Sequence, residues 1–133
     1  MGLAADRNTP MTDGELISVP VATNTTIYAG SLVVANASGY AAPGSVATTL
    51  TYLGRAEERV VNNPGANGAK SVLVRRRKAF KWLNHGADAV TQAELGKTCY
   101  IVDDQTVAKT SGTSTRSVAG TVTGIESDGV WVQ

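Results

Sequence analysis

Between Leu95 and Gln133 the chain carries three short runs rich in Val, Ile, Tyr, Trp and Thr: Thr98–Val102, Ser117–Ile125 and Val130–Gln133. They are separated by Asp103-Asp104, by the polar segment Thr110–Arg116 and by Ser127-Asp128-Gly129. β-branched and aromatic runs punctuated by turn residues at this spacing predict hairpins. A two-stranded hairpin is marginal in water, so these runs need another β-rich region to pack against. The N-terminal half supplies one. In Glu15–Val21 strict alternation puts Leu16 and Ser18 on one side and Ile17, Val19 and Val21 on the other. Pro20 cannot donate to a ladder, which predicts an edge strand or a strand end there.

Thr26–Val34 is β-branched but interrupted by Gly30, which suits a kink or bulge, and Asn36-Ala37-Ser38-Gly39 supplies the turn of a hairpin. Ala41–Thr49 reads as a loop of small residues. Tyr52–Val61 reads as a strand, and Asn62–Gly68, with its Asn-Pro, Pro-Gly and Asn-Gly pairs, as a turn. Ser71–Leu83 begins as a buried-type strand, becomes basic and returns to Phe80, Trp82 and Leu83. Its charge falls on both faces between apolar ends, so the strand should leave the core midway or bend there. Thr91, with Glu94 three residues on and Gly96 beyond, has the pattern of a capping box followed by a C-terminal glycine, predicting one short helical turn over Thr91–Leu95. Thr110–Thr115 reads as a flexible loop. Met1–Gly14 shows little periodicity and reads as an extended arm with no core of its own. The expected fold is all-β: an antiparallel β-sandwich or jelly-roll-like barrel over residues 15–133, with one short helix and the arm over residues 1–14.

The chain has 133 residues, enough for one domain with an ordinary core. Charged residues make up 17%, below the roughly 25% of an average globular protein, and Gly, Ala, Ser and Thr are abundant. A surface of small uncharged residues is cheap to desolvate, which suits extended contact with another protein. A net charge of +1 gives no whole-molecule attraction to nucleic acid or an anionic membrane. The single cysteine, Cys99, sits in a strand-like run and is expected to be a buried, reduced thiol. No apolar run approaches the roughly 20 residues of a membrane span and the N-terminus lacks a signal-like pattern, so a soluble protein is expected, with no membrane partner.

Enzyme chemistry finds little to stand on. The one histidine, His85, lies in a turn-like Asn-His-Gly and is expected to be solvated. One His and one Cys do not assemble a metal centre. The adjacent pairs Glu57-Glu58 and Asp103-Asp104 point to opposite faces if extended, so neither forms an acid–base dyad. No nucleotide fingerprint joins a strand to a helix. No enzyme activity and no cofactor is expected. The sharp signal is basic: Lys70, Arg75, Arg76, Arg77, Lys78 and Lys81 hold six of the twelve Lys and Arg residues. Three readings stay open. The first is a patch for an acidic surface on a partner protein. The second is a single-strand nucleic-acid platform using Phe80 and Trp82 for stacking. The third is a solvated strand whose charges deter edge-to-edge aggregation. Arg7 in the arm, with Arg75, Arg76, Arg77, Lys78 and Lys81, are the candidate partner contacts.

Three segments together resemble the small cement, or head-decoration, proteins of tailed bacteriophages. They are Pro20–Pro43, with its IYAGSLV block and GYAAP hairpin; Tyr52–Phe80, with GRAEE before a Gly/Asn loop; and Glu94–Val132, with LGKTCYIVDDQTV and the RSVAGTV and DGVWV ending. The resemblance covers most of the chain but carries no catalytic signature, and the RRRK cluster is not part of it. It implies a protein of the virion, made in the host cytoplasm, that sits on the outer surface of the mature head. There it would bridge neighbouring major capsid protein subunits and stabilise the shell against internal DNA pressure. It also implies self-association as a dimer or trimer at local symmetry axes. The rivals are another virion structural protein, of tail or baseplate, and, further off, a nucleic-acid-binding β-barrel using Arg75–Lys78; nucleic acid is not the expected partner.

Overall fold

The computed structural model describes all residues from Met1 to Gln133. The protein is all-β, 41% strand and 5% helical. Its strands are β1 (Leu16–Pro20), β2 (Thr25–Ile27), β3 (Leu32–Ala35), β4 (Ala41–Pro43), β5 (Thr51–Ala56), β6 (Val60–Asn62), β7 (Ser71–Arg75), β8 (Phe80–Asn84), β9 (Thr98–Ile101), β10 (Thr106–Ala108), β11 (Val118–Glu126) and β12 (Gly129–Val132). An open five-stranded antiparallel sheet runs in the order β1-β7-β5-β3-β4, and β2 pairs with β6 beside it. The strands β10-β8-β12-β11-β9 close into a barrel. Every barrel pairing is antiparallel except β8 with β10, which run parallel.

Alternation places the core as the sequence implies. In β1 and β7 the register Val19↔Val72 and Ile17↔Val74 turns one face inward, and Leu16, Ser18 and Leu73 remain on the other. β1 is an edge strand that ends at Pro20, which has no N–H to give to a ladder. Gly30, at φ 84°, divides the Thr26–Val34 run into β2 and β3, which join different sheets. The Asn36 Oδ1 accepts from the Ser38 and Tyr40 amides and shapes the β3–β4 hairpin. Gly54 occupies a register shift of β5 against β3, at φ 149°, where a Cβ would collide with the Arg75 carbonyl oxygen. Only glycine fits that site without displacing the neighbouring strand.

Two hydrophobic clusters result. The sheet cluster is aliphatic: Val19, Val21, Ile27, Val33, Ala41, Ala56, Val60, Val72 and Val74. The barrel cluster contains Phe80, Trp82, Val90, Cys99, Ile101, Val107, Ala119, Val122, Val130 and Val132, together with Leu32 and Val34 from β3. β3 therefore faces both clusters and ties sheet to barrel. Each fully buried Val, Leu or Ile contributes about 1.5–3 kcal/mol relative to exposure, against about 0–1 for a surface ion pair, so these clusters hold the fold.

Several local expectations need correction. Ser71–Leu83 is not one strand. It breaks at Arg76–Ala79, where Arg77 adopts φ 63°, so that β7 ends in the sheet and β8 begins in the barrel. Tyr52–Val61 likewise divides into β5 and β6 around Glu57–Arg59. Ala41–Pro43, expected as loop, pairs with β3, and Thr106–Ala108, which lies outside the expected strand runs, closes the barrel. At Thr91 the capping box forms as expected, with the Thr91 hydroxyl and amide donating to Glu94 Oε2, but the turn it starts is 3₁₀ and spans Gln92–Glu94. Gly96 follows at φ 82°. The Thr110–Thr115 loop has its own bonding. Thr110 donates through amide and hydroxyl to Asp88 Oδ2, and Arg116 Nη1 reaches the same oxygen at 2.9 Å. These bonds, with that from the Thr110 hydroxyl foremost, hold the Asp88 carboxyl below its usual range.

Candidate functional site

The basic segment occupies the turn by which the chain passes from sheet to barrel, and the N-terminal arm joins the body at the same place. The Arg76 amide donates to the Glu15 carbonyl at 2.8 Å, continuing the β1–β7 ladder by one step. The Lys78 ammonium meets Glu15 Oε2 at 2.9 Å. The Arg77 guanidinium lies so close to Gly14 that a Cβ there would stand 3.3 Å from its Cζ. Two segments far apart in sequence, the root of the arm and the basic turn, thus meet at one surface.

Residues 1–13 of the arm are exposed and belong to no strand. They present Met1, Leu3 and Met11, the last 96% exposed, to water. The bonds within this stretch are short-range: Arg7 Nη1 to Thr9 Oγ1 at 2.9 Å and the Thr9 amide to the Arg7 carbonyl at 3.1 Å. Apolar side chains with no core to enter are a liability for a free surface and an asset for a docking one.

The candidate cations are not equivalent. Arg55 and Arg75 stand opposite each other on β5 and β7, an arrangement that would be repulsive on its own. Glu57 relieves it: its Oε1 accepts from Arg55 Nη2 at 2.6 Å and lies 3.6 Å from Arg75 Nε. The bond from Arg55 is the main cause of the lowered pKa of that carboxyl. Arg55 also lies 4.9 Å over the Phe80 ring. Lys81 belongs elsewhere, bridging Asp128 at 2.9 Å and Glu126 at 3.3 Å on the β11–β12 hairpin. Its pKa is raised, chiefly by the Asp128 bond. Arg76 and Arg77 form no ion pair, and Arg76 Nε is buried without a hydrogen-bond partner. Of the candidate cations, Arg76, Arg77 and, within the arm, Arg7 are therefore the ones without an ion pair.

The nucleic-acid platform requires a correction. Phe80 and Trp82 are 7% and 5% exposed and pack in the barrel core, 6.0 Å apart. Trp82 Nε1 donates to the Tyr52 hydroxyl at 3.1 Å. Neither ring can stack on a base without opening the barrel. Sequence reasoning had paired them with the basic run because they adjoin it, whereas the break at Arg76–Ala79 sends them inward.

The remaining chemical candidates do not gather at one place. Cys99 is buried beside the Gly120 carbonyl, and burial raises its pKa. Burial also pushes Tyr52 up to about 12. His85 is half-buried and its amide donates to the Val107 carbonyl. Glu57 faces the two arginines and Glu58 is exposed; Asp103 and Asp104 form a turn. No helix is long and apolar enough to cross a membrane. What the sequence reading missed were Glu15 and Glu57, the counter-ions of the basic turn. The Arg55-Ala56-Glu57 spacing was an available signal, since alternate residues of a strand share a face.

No family model, curated protein or solved structure matches this chain.

Proposed function

We propose that this protein is a capsid cement protein of a tailed bacteriophage, which binds the outer face of the mature head and bridges neighbouring major capsid subunits. The observation that carries the reading is the arm, which leaves the body at the basic turn with Met1, Leu3 and Met11 exposed. The resemblance of the Pro20–Pro43, Tyr52–Phe80 and Glu94–Val132 segments to cement proteins supplies the partner. The arm lies on one capsid subunit, and Arg76 and Arg77, beside its root, meet carboxylates of a neighbour. Self-association as a dimer or trimer multiplies them, since the second contact of a linked pair is intramolecular and gains by effective concentration. A ligand that binds the expanded lattice in preference to other states stabilises that lattice by mass action.

The test is co-sedimentation of the protein with expanded, DNA-free shells that lack it, at two salt concentrations, followed by heating of the shells. Saturable binding at fixed stoichiometry, weaker at high salt, and a higher shell disruption temperature are expected. Absence of binding at both salts overturns the proposal. Binding to tail or baseplate parts instead would move the protein elsewhere in the virion.

A further inference from the structure

A second surface, of opposite character, lies where the turn between β2 and β3 meets the Asp103–Gln105 turn. Gly30 reverses the chain at φ 84°, and the Ser31 amide closes the turn on the Tyr28 carbonyl at 3.2 Å. The Gly30 amide bonds to the Ala56 carbonyl at 2.8 Å and the Leu32 amide to the Asp104 carbonyl at 2.7 Å, so both turns are fastened to the sheet. Between them is an open cleft of about 380 Å³, lined by Tyr28, Ala29, Gly30, Ser31, Asp104 and Gln105.

Two of its groups lack a partner within the chain, and a third is largely exposed. Ser31 is only 6% exposed, yet its Oγ has no hydrogen-bond partner. Asp104 is half-buried, and its carboxylate forms no ion pair and no side-chain hydrogen bond within the fold, whereas Glu57 and Asp88 are paired with arginines. Tyr28 has Arg59 over its ring, Cζ 5.8 Å from the centroid, and still stays 58% exposed, which leaves ring surface to a second guanidinium.

A carboxylate without an ion pair and an exposed aromatic ring at one cleft, above a buried hydroxyl that has no partner, match the guanidinium group. Its planar fork donates to a carboxylate, it stacks on an aromatic ring, and it is weakly hydrated. An ammonium is a compact, strongly hydrated point charge and stacks less well. A metal ion would be short of ligands, since no three His, Cys, Asp or Glu side chains gather anywhere in the fold. We propose that the Tyr28–Ser31–Asp104 cleft receives an arginine side chain presented on a loop of a partner protein. The inference goes beyond the cement reading and does not rest on it.

The test is a titration of the isotope-labelled protein with N-acetyl-L-argininamide, followed by amide NMR, with N-acetyl-L-citrullinamide as the neutral isostere. Saturable shifts confined to Tyr28, Gly30, Ser31, Asp104 and Gln105 are expected, with citrullinamide at least about fivefold weaker because the ionic hydrogen bond is lost. Asp104→Asn should weaken the argininamide response about tenfold, and Ser31→Ala by a smaller factor. No localised shifts up to about 50 mM, where a millimolar site would be saturated, would overturn the proposal. So would an equal response to citrullinamide, or full binding by folded Asp104→Asn protein. Each of these outcomes leaves shell binding by the arm untouched, so the two proposals fail separately.

Discussion

The barrel is closed and the sheet is open, and the difference separates a part of the molecule with no free edge from a part that keeps an edge, the arm root and the basic turn. The barrel has no free edge and contains the buried aromatic pair Phe80 and Trp82, with Trp82 bonded to Tyr52 of β5 and Arg116 bonded to Asp88. The sheet keeps β1 as an edge, has an aliphatic core, and carries the arm and the basic turn, where Arg76 and Arg77 have no ion pair. β-proteins usually blunt an open edge with charge or proline. Here Pro20 and the arm root with its Glu15–Lys78 pair stand at the two ends of β1, leaving Leu16 and Ser18 exposed between them.

The largest effects should come from breaking either half at its core. Trp82→Ala removes a buried ring and strands the Tyr52 hydroxyl, and a loss of about 3–5 kcal/mol in urea unfolding is expected. Its counterpart in the sheet is Gly54→Ala, which forces a Cβ into the Arg75 carbonyl at a backbone angle that favours glycine. A loss of about 2–4 kcal/mol is expected there. Both variants should unfold in one transition, because β3 lies in both clusters; a separate early transition in Gly54→Ala alone would show that the halves are independent.

Alkali should distinguish the halves next. Tyr52 has its pKa raised by burial to about 12 from 10.0 in the unfolded chain. The folded state thus retains a proton that the unfolded state loses, so this group's contribution is intact below pH 10 and is lost as pH rises toward 12. The loss amounts to up to roughly 3 kcal/mol. Tyr52→Phe should start about 1–2 kcal/mol less stable, through the unpaired Trp82 N–H, and show a flatter decline above pH 10. A decline as steep as that of the unaltered protein would assign the alkaline sensitivity elsewhere.

Smaller still is Glu57→Gln, which unpairs Arg55 and Arg75. Less than about 1 kcal/mol of stability should be lost, since the group is partly exposed. Binding to an acidic partner surface should strengthen at low salt, because two more cations become available. Weaker binding would mean that the Arg–Glu cluster itself is what the partner recognises. Removal of residues 1–13 should change stability least, by under about 0.5 kcal/mol, as nothing in the core contacts them.

Much of this division was legible in the sequence. Runs with a two-residue period and strong turn residues became strands, the Thr91–Glu94 capping box formed, and Pro20 fell at the end of an edge strand. Short pieces without alternation were missed. Thr106–Ala108 is buried at all three positions, and Ala41–Pro43 consists of small residues and proline, so neither shows a period to detect. The breaks inside Tyr52–Val61 and Ser71–Leu83 were only partly foreseen, because pairing partners distant in sequence decide where a strand changes sheets. The same limit applies to the site. The cluster Arg75–Lys78 was plain, but its counter-ions Glu15 and Glu57 and its contact with the arm root arise only when β1, β5 and β7 align.

The most direct measurement compares the intact protein with one lacking residues 1–13 in co-sedimentation with expanded shells at low and high salt. The arm-less protein, folded and as stable as its parent, should lose at least about tenfold in shell affinity, while the salt sensitivity contributed by Arg76 and Arg77 persists in what binding remains. Equal shell affinity with and without the arm would contradict the assignment of contact to the open side of the molecule.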